Sequence, residues 1–186
     1  MSDWQQYVDQ VIHKFDYDTN QWTDENVCDD AAIYGTDGSC WAFTPNFPEL
    51  KEIEIDIDGT KIPVNEITCA IEAGKGNRNP SQAGIRFGGK KYMLTYFDPD
   101  TQVAQLVSGS GGAAVANCAT CSIIGLFDKT KSSKNGGLQN VHTTVDQVSA
   151  MAAYLREQGY WAQPPITKHL SQMSSSEGWF AGIPAD

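Results

Sequence analysis

Basic residues are few in this chain and almost missing from its first third. Residues 1–60 hold 14 Asp and Glu against only Lys14 and Lys51, and the whole chain sums to 13 − 23 = −10. Phosphate binding needs a concentrated basic face, so this balance argues against a nucleic-acid partner. Long apolar runs are also missing. No window approaches the ~18 residues of a membrane span. The start of the chain lacks the basic-then-apolar design of a secretory signal. The expected location is the cytosol, where Cys28, Cys40, Cys69, Cys118 and Cys121 stay mostly reduced.

The usual signatures of catalysis are absent as well. Cys118-Ala-Thr-Cys121 has the C-x-x-C spacing, but it falls between two strand candidates. A redox pair normally sits at a helix start, where the dipole lowers the thiol pKa. No second cysteine pair is spaced to complete a zinc site. Ser108-Gly-Ser-Gly-Gly112 has no Lys-Ser/Thr after it and opens no helix, so it reads as a hairpin loop and not a phosphate cradle. His13, His142 and His169 show no ligand spacing. Asp16-Tyr-Asp-Thr-Asn20 lacks the glycine that a calcium loop needs at its sixth position, which is Gln21. No Gly-x-Ser-x-Gly or His-Glu-x-x-His occurs. An enzyme is therefore not expected, nor a metal or other cofactor.

What is present suits one domain with a tail. The chain has 186 residues, 40% of them hydrophobic, enough for a core without disulfides. Trp4, Tyr7, Val8, Val11 and Ile12 form one apolar stripe at helical spacing, with Ser2 or Asp3 available as cap. The two aromatics are either core anchors or the edges of a surface groove. His13 to Asp30 is polar and acidic and reads as a loop. Ala31–Tyr34 and Ser39–Phe43 flank Asp37-Gly38 as a hairpin. Asn46–Leu50 reads as a turn or short helix. Ile53–Ile57 and Thr60–Val64 flank Asp58-Gly59 as a second hairpin with an acidic outward side. A short helix follows over 64–73, with Val64, Ile67 and Ile71 inward. Strands are expected at 85–87, 91–97, 103–107, 113–117 and 122–127. A polar loop spans 129–140, and a helix runs from Thr144 to Gln158 and ends at Gly159. This order predicts an α+β fold, an antiparallel sheet with helices on its faces. Residues 161–186 read as an appendage.

Several stretches together resemble the profilin family. They are Trp4-Gln-Gln-Tyr-Val-Asp9, Ala31-Ala-Ile-Tyr-Gly-Thr-Asp-Gly-Ser-Cys-Trp-Ala42, Asn46-Phe-Pro48, Gly88-Gly-Lys-Lys-Tyr-Met93, Gly109-Ser-Gly-Gly112 and Tyr154-Leu-Arg-Glu-Gln-Gly-Tyr160. They stand in profilin order over residues 2–160. The strand motifs look like those of plant and amoeba profilins. The hairpin at 53–64 looks like the arm of apicomplexan profilins, which points to a protist source.

The resemblance implies a central antiparallel sheet with the N- and C-terminal helices on one face and short helices on the other. It implies a protein that binds monomeric actin and proline-rich segments, such as those of formins, and regulates filament assembly. By motif match, Trp4, Tyr7, Trp41, Tyr154 and Tyr160 fall on the proline-binding positions, with Gln10 as a polar neighbour. A polyproline II segment is already extended, and its ring faces stack on such a trough. Arg86, Lys90, Lys91, Asn135 and Asn140 fall on or beside actin-contact positions. Plant profilins carry lysines where Ala116 and Asn117 stand. Their loss weighs against phosphoinositide binding, which is mostly electrostatic. The alternative reading is a structural subunit of a larger cytoskeletal assembly, anchored by residues 161–186.

Overall fold

The first helix, α1 (Gln5–Val11), follows the apolar stripe. Val8 and Val11 are fully buried, while Trp4, Tyr7 and Ile12 pack against the core from its margin. Trp4 opens the helix without a side-chain cap; its carbonyl accepts from the N–H groups of Tyr7 and Val8. The computed structural model describes residues 4–132 and 137–160. The caps expected at Ser2 or Asp3, the Asn135 contact, and the appendage at 161–186 lie outside the described residues.

The stretch expected as a loop after α1 is a hairpin, β1 (His13–Asp16) and β2 (Gln21–Asn26). Asp16 Oδ1 accepts from the N–H groups of Asp18 and Thr19, and Asn20 turns at φ 55°. An Asx turn therefore reverses the chain. Phe15 then stands opposite Trp22. The acids that suggested a loop are the turn and rim of this hairpin.

The main sheet has seven strands in the order β4-β3-β11-β10-β9-β8-β7, each pair antiparallel. They are β3 (Asp30–Gly35), β4 (Cys40–Phe43), β7 (Ile85–Phe87), β8 (Lys90–Asp98), β9 (Val103–Ser108), β10 (Gly111–Asn117) and β11 (Cys121–Asp128). Side chains alternate between two cores. Ala31, Ile33, Ala114, Ala116 and Ile123 face α1 and the last helix, α3 (Val141–Leu155). Ala32, Tyr34, Val115 and Ile124 face the other side. There the second helix, α2 (Glu66–Ala73), packs beside an arm made of β5 (Glu52–Ile57) and β6 (Thr60–Asn65). This is the architecture that the resemblance implied.

The last helix starts at Val141, capped by Asn140, and ends at Leu155, not over 144–158 as expected, and two other boundaries differ for clear reasons. The second helix starts at Glu66 because the Asn65 side chain caps it, accepting from Thr68 N at 2.9 Å. Val64 stays in β6, and the buried stripe of α2 is Glu66, Cys69, Ala70 and Ala73; Ile67 and Ile71 are only partly buried. Strand β10 starts two residues earlier than expected, at Gly111. A Cβ on Gly112 would strike the Leu106 carbonyl and lie 2.7 Å from the Phe127 ring. Gly112→Ala is therefore expected to destabilise the fold by about 2 kcal/mol through overpacking against backbone. A urea unfolding midpoint equal to the parent's would refute that.

Candidate functional site

Four aromatic rings from three distant elements meet on the helix side of the sheet. The Trp4 and Trp41 centroids are 4.5 Å apart, Trp4 and Tyr7 5.4 Å, and Tyr7 and Tyr154 6.0 Å. Helix α1 supplies Trp4 and Tyr7 one turn apart, β4 supplies Trp41 and α3 supplies Tyr154. All four are partly exposed, Tyr154 by 40%. They are tilted against one another by 42° to 55°. The result is a corrugated, partly exposed apolar row.

Polar groups hold the row in place. The Trp41 indole N–H donates to Ser39 Oγ at 3.0 Å, and Ser39 Oγ donates to Asp37 Oδ1 at 2.6 Å. Hydrogen bonds from Ser39 hold the Asp37 carboxyl below its ordinary pKa. Gly35 leaves room for this arrangement, since a Cβ there would lie 2.8 Å from Trp41 Nε1 and Ser39 Oγ. Gln5 Nε2 donates to Asp9 Oδ1 and to the Phe43 carbonyl, tying α1 to β4. Gln10 lines a neighbouring cleft that shares Tyr154 with the row. Tyr160 ends the turn after α3, where Gly159 sits at φ 94°; its side chain lies outside the described residues.

The profilin family pattern matches residues 2–160. A profilin of Tetrahymena pyriformis is 34% identical over 164 residues, covering 86% of this chain and all of that one. The chain belongs to the profilin family. Acanthamoeba castellanii profilin II has a similar fold, with a TM-score of 0.56 and 21% identity over 85% of this chain and 100% of that one. Mouse profilin IIa, solved in complex with a double repeat from the FH1 domain of mDia1, gives 0.53 at 20% identity, covering 85% of this chain and 99% of that one. Profilins are not enzymes. As a profilin, the chain binds monomeric actin and proline-rich segments and regulates actin filament assembly.

The basic positions expected at a profilin's actin side are not equivalent. Strand alternation sends Lys91 outward and Lys90 the other way. Lys90 lines a cavity with Asp29, Asp30, Asp128 and Lys131. Arg86 braces its own hairpin, donating from Nε to the Ala83 carbonyl and from Nη1 to the Gly89 carbonyl, both at 3.2 Å. Asn140 caps α3, accepting from Thr143 N at 3.0 Å. Ala116 and Asn117, where plant profilins carry lysines, are both buried. Asn117 Nδ2 donates to the Ile71 carbonyl, and its Oδ1 accepts from Ser122 Oγ.

Two exposed residues near Lys91 escaped sequence reasoning. Met93 is 63% exposed and Tyr96 59%. Met93 pairs with Val107, and an irregularity after Leu94 makes Tyr96, not Thr95, the partner of Gln105. The bulge therefore turns Tyr96 to the same side as Met93 and lets Phe97 pack inward. An aromatic that breaks strict alternation was the available signal.

The Cys118–Cys121 pair closes the β10–β11 turn, with Cys118 N donating to the Cys121 carbonyl at 2.7 Å. Both thiols are buried, and Cys118 Sγ lies 3.8 Å from the Ala152 carbonyl. Hydrogen bonding from Cys121 and the charge of Arg156 push the Cys118 thiol down; the shared bond and burial push Cys121 up. Arg156 is itself bound to the Thr101 and Asn117 carbonyls. The pair belongs to the core beneath α3. Among the described residues, no group of three or more His, Cys, Asp or Glu is placed to hold a metal ion.

Proposed function

We propose that the row Trp4, Tyr7, Trp41 and Tyr154 is the surface on which this profilin takes proline-rich segments, with Tyr160 completing it. The observation that carries this reading is the meeting of four partly exposed rings from α1, β4 and α3. Proline rings stack on such faces, and the polyproline II backbone arrives already extended, so little ordering entropy opposes binding. The actin side is the part of the sheet that the helices leave open, with Lys91, Met93 and Tyr96. Exposed apolar side chains beside a lysine suit a protein interface with a charged rim. Arg86, Lys90, Asn135 and Asn140 serve as framework or margin there. Two separate surfaces let one molecule carry an actin monomer to a proline-rich factor at a growing filament end, which gives it a cytoskeletal location.

A pyrene-actin assembly assay tests this. The protein is expected to slow spontaneous assembly, and Lys91→Glu to weaken that effect about fivefold, in line with a charged contact of ~1 kcal/mol. Adding a formin-type proline-rich segment that nucleates filaments should restore elongation. No effect of the unmodified protein at saturating concentration would refute the reading.

A further inference from the structure

The aromatic surface does not stop at Tyr154. Beyond it lies a cleft of about 420 Å³ whose lining includes Gln10, Phe15, Tyr17, Trp22, Tyr154 and Glu157. We infer that this cleft is a second subsite for proline-rich segments, one that takes a further turn of the peptide together with a flanking lysine or arginine. The inference rests on the proline-binding reading of the row, because the Tyr154 ring borders both surfaces.

Geometry supports a proline-sized notch. The Tyr17 and Trp22 rings both stand 5.0 Å from Phe15, at 79° and 66° to it. The three steeply inclined rings line one wall of the cleft, an apolar wall of the kind on which a proline ring packs. The site is built rather than loose. Phe15 N donates to Oε1 of the buried Gln147 at 2.5 Å, which fixes the β1–β2 hairpin on α3. Packing alone does not account for Tyr17, which is 65% exposed and, beyond its ring contact with Phe15, makes a long hydrogen bond, 3.4 Å, from its hydroxyl to the Asp146 carbonyl. Burial and the Asp146 carboxylate push its phenol pKa up, so it remains a neutral donor at the rim.

Charge selects the flanking residue. Glu157 lines the cleft, and Asp18, Asp24 and Glu25 line the hairpin surface on the other side of Phe15 and Tyr17. Among the described residues Lys14 is the one base lining that surface, and it lies 3.6 Å from Glu25. Asp16 is committed to the turn. A lysine or arginine next to the prolines would meet an excess of carboxylates, Glu157, Asp18 and Asp24 among them; an acidic neighbour would be repelled.

The test compares two peptides on the full chain by calorimetry. The short one has about six prolines, two polyproline II turns. The long one has about nine, with a lysine at each end. The long peptide is expected to bind more tightly. Tyr17→Ala should weaken it about fivefold and Glu157→Gln about twofold at low salt, with the short peptide unaffected. Glu157 is exposed near the end of α3, so its substitution leaves the hairpin folded even if Tyr17→Ala disturbs it. If neither substitution changes long-peptide affinity, the subsite is refuted while the row stands. If only the long peptide binds and remains sensitive to Tyr17, the subsite stands and the row reading fails. If neither peptide binds, both fall. A gain in long-peptide affinity in a Pro164→Ala/Pro165→Ala chain would assign the cleft to the protein's own C-terminal segment and overturn the proposal.

Discussion

Replacing Tyr154 by alanine is expected to lower affinity for an oligoproline peptide about thirtyfold and to leave the unfolding midpoint nearly unchanged. The ring is 40% exposed at one end of the aromatic row. Met151, Ala152 and Leu155, which face inward, anchor this part of α3 without it. Truncation should therefore cost little folding energy. Binding is different, because an aromatic anchor at an interface typically contributes ~2 kcal/mol, or about thirtyfold. Trp4 and Trp41 are poorer probes of the same site. Both pack against the core beneath the helices, so their removal mixes lost binding with lost stability. Tryptophan fluorescence titration reads the affinity, and urea unfolding reads the fold. Unchanged affinity in a folded Tyr154→Ala protein would remove the row from the binding surface.

The parts of this site that were legible in the sequence are those governed by local rules. The stripe of α1 follows from helical spacing, and the β3–β4 hairpin from Asp37-Gly38. Nothing local brings Trp41 to Trp4, or Tyr154 to Tyr7. Those meetings follow from the strand order β4-β3-β11 and from α3 lying beside α1, and only the family resemblance anticipated them. The β1–β2 hairpin was hidden because its rim is acidic and its strands do not alternate cleanly. The aromatics facing each other across it, Phe15 and Trp22, were the overlooked signal. Lys91 was expected at an actin-contact position with Lys90 as its neighbour, and consecutive strand residues point to opposite faces. Tyr96 signalled itself only as a break in alternation, since a bulge decides its direction.

Glu66 lies outside the stripe of Val64, Ile67 and Ile71 expected to face inward, and its substitution should have the largest effect on stability. A carboxylate on a short helix is normally assigned to solvent, yet Glu66 is fully buried. It is held there by backbone donors. Oε1 accepts from Gly89 N at 2.6 Å and Oε2 from Lys51 N at 3.3 Å, and Glu66 N donates back to the Lys51 carbonyl at 3.1 Å. Its place in the first turn of α2 adds the favourable end of the helix dipole. Gly88 and Gly89, at φ 55° and 76°, form the left-handed turn of the β7–β8 hairpin, and Lys51 leads into the arm. One side chain therefore ties the arm to the edge of the sheet that carries Lys91. Glu66→Ala takes the acceptors from two N–H groups on exposed residues in part-buried hydrogen bonds, at the low end of about 1–3 kcal/mol each. A total loss of about 2–3 kcal/mol is expected. Glu66→Gln keeps one oxygen but turns an N–H₂ group toward the other donor, so it should fall between the two. Urea midpoints give the order, and hydrogen exchange should speed up at the Gly89 amide and along β5–β6. Because the aromatic row lies on the opposite face of the sheet, oligoproline affinity should survive in the folded fraction of Glu66→Gln while actin affinity drops. A Glu66→Ala protein as stable as the parent would mean that the N–H groups of Lys51 and Gly89 find other acceptors, and that the arm and the sheet edge are held together by apolar packing alone.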